Sequence, residues 1–145
     1  MRVRAVVARV VHSLGLRGSV DIEETEDEIR ATVNGDDLGL LIGKHGLTID
    51  ALQHLAFRAA YRGTADRKQV TIDAAGYRER RREVLERQAE DAAERVEQTG
   101  QPVALDAMSA IERKVVHEHL KERGGVETWS EGQEPDRHLV VAPLS

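Results

Sequence analysis

Four consecutive residues, Gly43-Lys44-His45-Gly46, combine two backbone-permissive positions with two side chains able to donate to an anion. They stand between the apolar run "LGLLI" and a stretch with helical periodicity. Glycine adopts positive-φ conformations and lets a ligand reach the backbone, because no Cβ stands in the way. A helix starting just after such a loop presents unpaired N–H groups and the positive end of its dipole, which suit a phosphate. Taken alone, such a tetrapeptide is more often an ordinary turn than a nucleic-acid clamp. A second constellation lies on "SAIERKVVHEHLKERGG". At about 100° per residue, Arg113, Lys114, His117 and Lys121 crowd one half of a helix, while Ile111, Val115, Val116 and Leu120 take the other. Four cation-forming side chains on one face make either a solvated surface or an anion-binding one.

Other chemistries are excluded by spacing. His117 and His119 are two apart and point about 200° away from each other on a helix, so they do not chelate together. His12, His54 and His138 have no ligand spacing either, and no metal or cofactor site is expected. Ser109 and Glu112 form a capping-box pair that starts the helix. As a nucleophile Ser109 would need His117 within hydrogen-bond reach, and it lies two turns away. No catalytic residues are therefore expected, and the chain reads as a non-enzyme. With no cysteine in 145 residues, disulfides, thiolate zinc sites and thiol nucleophiles are absent.

Composition restricts where a nucleic-acid site can lie. A net charge of −5 argues against a protein that coats DNA or membrane indiscriminately, so any such site is local. One Trp, two Tyr and one Phe argue against an aromatic-walled pocket or a base-stacking platform and for an aliphatic interior. The opening "MRVRAVVARVVHSLGL" places Val3, Val6, Val7, Val10, Val11 and Leu14 at helical spacing and reads as an amphipathic helix rather than a targeting peptide. No stretch is long enough to span a membrane, and a cytoplasmic location is expected.

The elements that must position the two constellations follow from periodicity. Val20, Ile22 and Glu24, then Ile29, Ala31 and Val33, alternate about the acidic "TED" and read as a β-hairpin. A short helical or turn segment, the glycine loop and a helix over 47–62 come next, with Ile49, Leu52, Leu55, Ala56, Ala59 and Ala60 on its core arc. Val70 and Ile72 mark a third strand. "YRERRREVLERQAEDAAERVEQTG" is a long charged helix with a narrow stripe of Tyr77, Val84, Leu85, Ala89, Ala92 and Val96, read as a junction between two modules. Within it, "RERRR" either extends a basic track or pairs with Glu79, Glu83 and Glu86. Phe57 and Tyr61, off the core arc, are expected to pack rather than stack on bases. Beyond Pro102 the pattern gives a short strand at "PVALD", a helix over 109–123, a strand at "GVETWS", a turn at "EGQEPD" and a last strand at "RHLVVA". The fold class is α+β.

This order, with "IGKHG" between two helices, resembles a type II KH domain over residues 1–75. KH domains clamp about four nucleotides of single-stranded backbone with a Gly-x-x-Gly loop. The pair Arg113 and His117, followed by "SEGQEPDRHLVV", resembles the R-3-H domain, a small α/β fold associated with single-stranded nucleic acid. The tandem, with a connecting helix at 76–100 and the second domain at 101–145, is similar to the Jag family, also called KhpB or EloR. The resemblance implies a bacterial RNA-binding regulator tied to cell elongation and division. The implied contacts are Gly43, Lys44, His45 and Gly46 in the loop and Arg113, Lys114, His117, Lys121 and Arg137 in the second domain. It also implies single-stranded RNA as partner, single-stranded DNA as a competitor, and pairing with a second copy or a small single-domain KH protein. His45 takes a position where a fixed cation is common, which implies a pH-dependent loop. Many members carry a further N-terminal domain and linker that have no counterpart in this sequence. A reading from another class is a protein-interaction scaffold in cell-envelope control, recruiting partners through the acidic surface and the long helix.

Overall fold

The computed structural model describes residues 2–63 and 67–145. The chain divides into two compact units, Met1–Glu79 and Arg80–Ser145. In the first, helix α1 (Arg2–Ser13) buries Val3, Val7 and Val11, a one-sided stripe at four-residue spacing. Strands β1 (Gly18–Glu24) and β2 (Glu28–Gly35) form the antiparallel hairpin, with Ile22 opposite Ala31 and Val20 opposite Val33. Thr25 closes its turn by accepting from the backbone N–H of Asp27 and Glu28.

Strand β3 (Gln69–Ala74) pairs parallel to β2, with Ala31 opposite Ile72, giving the sheet order β1-β2-β3. A parallel pair needs a crossover. Here it carries α2 (Gly39–Ile42), a 3-10 turn at Lys44–Gly46 and α3 (Leu47–Ala60). Leu41, Ile49 and Ile72 are fully buried beneath it and hold the glycine loop at the end of a packed helix. The core arc of α3 is Ile49, Leu52 and Ala56, whereas Leu55, expected inside, is 54% exposed. It sits at the edge of the arc, about 60° from Leu52, where the sheet no longer covers it. Phe57 and Tyr61 pack against the core with their rings 5.4 Å apart, as expected of residues not serving as stacking platforms.

Helix α4 (Tyr77–Thr99) begins in the first unit and continues in the second. Leu85, Ala89, Ala92, Ala93 and Val96 join the second unit's core with Val116, Leu120, Val126, Leu139 and Val141. The stretch expected as a connecting helix at 76–100 therefore supplies one wall of that core. The reason lies in its one apolar stripe of Leu85, Ala89, Ala92, Ala93 and Val96, which is buried although its other faces are charged. Strands β4 (Val103–Ala104), β5 (Val126–Glu131) and β6 (His138–Pro143) form an antiparallel sheet of order β4-β6-β5. Val141 lies opposite both Val103 and Thr128.

Helix α5 (Ala110–Arg123) starts at Ser109, whose hydroxyl accepts from the Glu112 N–H. The reciprocal half of the expected capping box is not formed. The Glu112 carboxylate instead takes two hydrogen bonds from Arg81 on α4, at 2.5 and 3.3 Å. The buried face of α5 is also rotated from expectation: Glu112, Arg113, Val116 and Leu120 are buried, while Ile111 is 46% exposed. With the arc centred on Val116 and Leu120, Ile111 falls about 140° from Val116 and Arg113 only about 60°.

Candidate nucleic-acid interface

The loop geometry begins with Leu41, which is fully buried one residue before the end of α2 at Ile42. Gly43 then turns the chain with φ 74° and ψ 177°, a conformation open to glycine. A Cβ at Gly43 would lie 2.3 Å from Thr48 Oγ1, and one at Gly46, where φ is 78°, would lie 2.7 Å from the Tyr77 ring. Both glycines are thus required by the protein's own packing, whatever the ligand. Between them Lys44 and His45 are exposed at the tip, and His45 itself takes a left-handed φ of 54°. Neither side chain has a hydrogen-bond or ion-pair partner among the described residues. The start of α3 lacks a side-chain cap, and its first N–H, that of Leu47, is donated to the Lys44 carbonyl within the loop.

On α5 the four predicted cations have separate fates. Lys114 and Lys121 are exposed and unpaired among the described residues. His117 is exposed, and its Nδ1 is hydrogen-bonded to Thr128 Oγ1 on β5, so the ring is oriented by the strand beside it. Arg113 differs: its side chain is 11% exposed and donates to the Met108 carbonyl at 2.6 Å and to Glu134 at 2.7 Å. The expected face of four solvated side chains is therefore three, beside a guanidinium already held by its own chain. Arg137 donates to the Gly132 carbonyl at 2.6 Å and closes the β5–β6 turn.

A shallow concavity of about 330 Å3 brings Arg113, Lys114 and His117 together with Trp129 and Ser130. Trp129 follows Thr128 on β5, so its side chain leaves the strand on the face opposite the one that touches His117. It is 41% exposed on β5, a large aromatic in a strand whose next apolar neighbour is three residues away. The "RERRR" cluster is mostly taken up by tertiary partners. Arg78 bonds Asp50, Gln53 and the Ile72 carbonyl, Arg81 bonds Glu112, and of the expected helix pairs Arg82 lies 4.0 Å from Glu86.

The position of α5 against α4 is fixed by a charged lattice. Arg123 donates to Glu90 at 2.9 Å and to Glu97 at 2.6 Å, and His119 Nε2 lies 2.9 Å from Glu90. Hydrogen bonds from Arg123 hold the Glu90 and Glu97 carboxyls below the ordinary carboxylate value, and those carboxylates push the guanidinium's own value up. Among the described residues no cluster of His, Asp or Glu is arranged to hold a metal ion, and no helix is long and apolar enough to cross a membrane.

A parallel-paired α+β unit with a Gly-x-x-Gly loop between two helices, followed by a helix-on-sheet unit carrying the Arg113 and His117 pair, defines a tandem KH and R-3-H protein. Residues 2–72 match the KhpA/KhpB KH domain and residues 83–143 the R-3-H domain. The chain belongs to the KhpB family, the Jag family of the sequence comparison. It is 40% identical over 124 residues to RNA-binding protein KhpB of Clostridium symbiosum, covering 86% of this chain and 56% of that protein. It is 44% identical over 135 residues to RNA-binding protein KhpB of Lactiplantibacillus plantarum, covering 92% and 41%, and 33% identical over 135 residues to that of Bacillus subtilis, covering 92% and 65%. The chain thus spans about half the length of the curated relatives it matches first.

Proposed function

We propose that this chain binds single-stranded RNA without catalysing a reaction, through the Gly43–Gly46 loop in one unit and the Lys114, His117 and Lys121 face in the other. The observation that carries the proposal is the loop itself: two exposed donors, Lys44 and His45, without partners among the described residues, at the start of a packed helix that has no side-chain cap. Such an array suits a phosphate backbone. Relatives named as RNA-binding proteins support the same reading. Ser109 is engaged as a helix cap, so the one serine near His117 in sequence is not presented as a nucleophile. Arg137 and Arg113 act in this reading as supports of the surface. A cytoplasmic regulator of RNA connected with cell elongation is the cellular role we infer from the family resemblance.

Fluorescence anisotropy with a short end-labelled single-stranded RNA tests the proposal. Binding that is lost when Lys44 and His45 are both replaced by Asp, with circular dichroism unchanged, supports it. Undiminished affinity removes the loop from the mechanism. Unlabelled single-stranded DNA as competitor measures the preference between the two polymers.

A protein contact is the second reading, and Leu40, Leu47 and Leu55 favour it, being 61, 60 and 54% exposed in the first unit. Pairing with a second copy, or with a small single-domain KH protein, would cover them. Sedimentation of the chain, with and without Leu47→Asp, distinguishes a pair from a monomer.

A further inference from the structure

We propose that Arg78 is a positioning residue for the glycine loop: its guanidinium locks the start of α3 to the edge of β3 and so fixes where Lys44 and His45 stand. The role rests on the reading of that loop as the RNA contact of the first unit, and all of the residues concerned lie in that unit. Strand β3 is an outer strand of the order β1-β2-β3, so the backbone groups on its open side need partners from outside the sheet. At Ile72 side chains supply both. The Ile72 N–H donates to Gln53 Oε1 at 2.9 Å, and the Ile72 carbonyl accepts from Arg78 Nε at 2.7 Å. The same guanidinium donates to Gln53 Oε1 at 3.0 Å and to Asp50 Oδ1 at 2.9 Å. Every side-chain nitrogen of Arg78 is thus used at once, on a strand and on the first two turns of α3.

The path from this clasp to the loop is short. Asp50 lies one helical turn after Gly46, and the ring of Tyr77, the residue before Arg78, stands 2.7 Å from where a Cβ on Gly46 would be. Two consecutive residues of α4 therefore meet the loop's second glycine and the helix that follows it. Arg78 is itself held in place: its backbone N–H donates to Asp73 Oδ1 at 3.2 Å, and the buried Asp73 takes a hydrogen bond from Arg30 on β2 at 3.3 Å. Asp73 ties the start of α4 to the sheet, and Arg78 ties α3 to both. With its side chain 21% exposed and its nitrogens engaged, Arg78 serves RNA by geometry and not by contact. A lysine in its place keeps the charge but has no planar fork, so it does not serve strand and helix together.

The intact chain with Arg78→Lys or Arg78→Gln is compared with the wild type by anisotropy of a short labelled single-stranded RNA, with circular dichroism reporting the fold. Both variants should bind roughly tenfold more weakly. The slope of log affinity against log salt should stay at the wild-type value in Arg78→Gln, because no phosphate contact is lost, whereas Lys44→Ala should flatten it by about 0.7. Since Arg78 and Lys44 act through one loop, Arg78→Lys combined with Lys44→Ala should lose less than the product of the single losses. Without RNA, the amide signals of Gly43 and Gly46 in a nitrogen–proton correlation spectrum should shift in Arg78→Lys, and that of Gly100 in the second unit should not. Should Arg78→Gln lose its fold, the lysine variant and the glycine signals decide. Wild-type affinity in Arg78→Lys, or a flattened slope in Arg78→Gln, would overturn the positioning role and leave the RNA-binding reading standing; so would full multiplication of losses with both loop glycine signals unmoved. If the wild type binds no RNA, that reading fails and the role with it.

Discussion

Arg113 and Glu134 form an ion pair at 2.7 Å in which the arginine is almost enclosed and the glutamate is 60% exposed. The arginine of the Arg113–His117 pair is therefore a brace between α5 and the β5–β6 turn, with Met108 as its second acceptor. Replacing it by Ala strands the Met108 carbonyl and empties a nearly enclosed site. The expected cost is about 2 kcal/mol, in the range of hydrogen bonds to charged groups. Lys114→Ala and Lys121→Ala, both solvated, should cost within about 0.5 kcal/mol. Urea denaturation followed by Trp129 emission compares the three, and equal stability of Arg113→Ala and Lys114→Ala would show that the brace carries no load. Any loss of RNA affinity in Arg113→Ala is then read against its lost stability, whereas the lysine variants report binding alone.

The same distinction applies to the glycine loop. Gly46→Ala places a methyl group 2.7 Å from the Tyr77 ring at a φ of 78°, so it strains the backbone and clashes at once. A destabilisation of about 1–3 kcal/mol is expected from a non-glycine residue held in this region. Thermal unfolding followed by circular dichroism should show an earlier melt for Gly46→Ala and none for the Lys44 and His45 variants, whose side chains are exposed. A melt unchanged in Gly46→Ala would mean that Tyr77 moves aside freely.

The buried pair of Arg81 and Glu112 makes a sharper case. Their side chains are 18% and 7% exposed, and Arg81 satisfies both carboxylate oxygens. Removing the arginine leaves a charge enclosed without a partner, which costs roughly 3–5 kcal/mol. Arg81→Ala should therefore unfold the second unit at markedly lower urea, and the double variant with Glu112→Gln should recover part of the loss. No recovery would mean that the glutamate is not the group left stranded.

What was legible in the sequence was periodic or local. Valines at four-residue spacing gave α1, alternation of Ile29, Ala31 and Val33 gave β2, and Ser109 announced the start of α5. The loop and both exposed donors at its tip were also readable, because a turn between glycines leaves its middle residues outside. What failed was side-chain pairing across long separations. Glu134 is 21 residues from Arg113 and Glu112 is 31 from Arg81, and nothing in a helical wheel tells a solvated arginine from one tied to a distant carboxylate. The arc of α5 was misplaced for a related reason: paired, Glu112 and Arg113 tolerate burial, and that lets the helix turn Ile111 outward.

Acid should loosen the contact between α4 and α5. Glu90 and Glu97 have carboxyl values below the ordinary 4.5, chiefly through hydrogen bonds from Arg123. A depressed folded-state value contributes stability that is complete above the unfolded value and disappears as pH falls through the folded one. The contribution should thus be present at neutral pH and lost progressively below 4.5. Arg123→Gln removes the hydrogen-bonded charge, so the gap in urea midpoint between the two proteins should narrow from about pH 7 to about pH 3. A constant gap would place the arginine's effect in packing instead of in these carboxylates.

Ionic strength tests how many cations act on one strand. Each phosphate of a single strand that is neutralised adds about 0.7 to the downward slope of log affinity against log salt. Because Arg113 is taken by Glu134, the cations left for RNA are Lys44 in the loop, Lys114 and Lys121 on α5, and the histidines according to their charge. Three or four contacts give a slope of roughly −2 to −3 for the intact chain. Replacing both Lys114 and Lys121 by Ala should then bring the slope up by about 1.4, and Lys44→Ala alone by about 0.7. Anisotropy titrations at several salt concentrations measure each value. If the double lysine variant keeps the full slope while Lys44→Ala flattens it, the second unit does not share the strand held by the loop. The α5 face would then need another ligand.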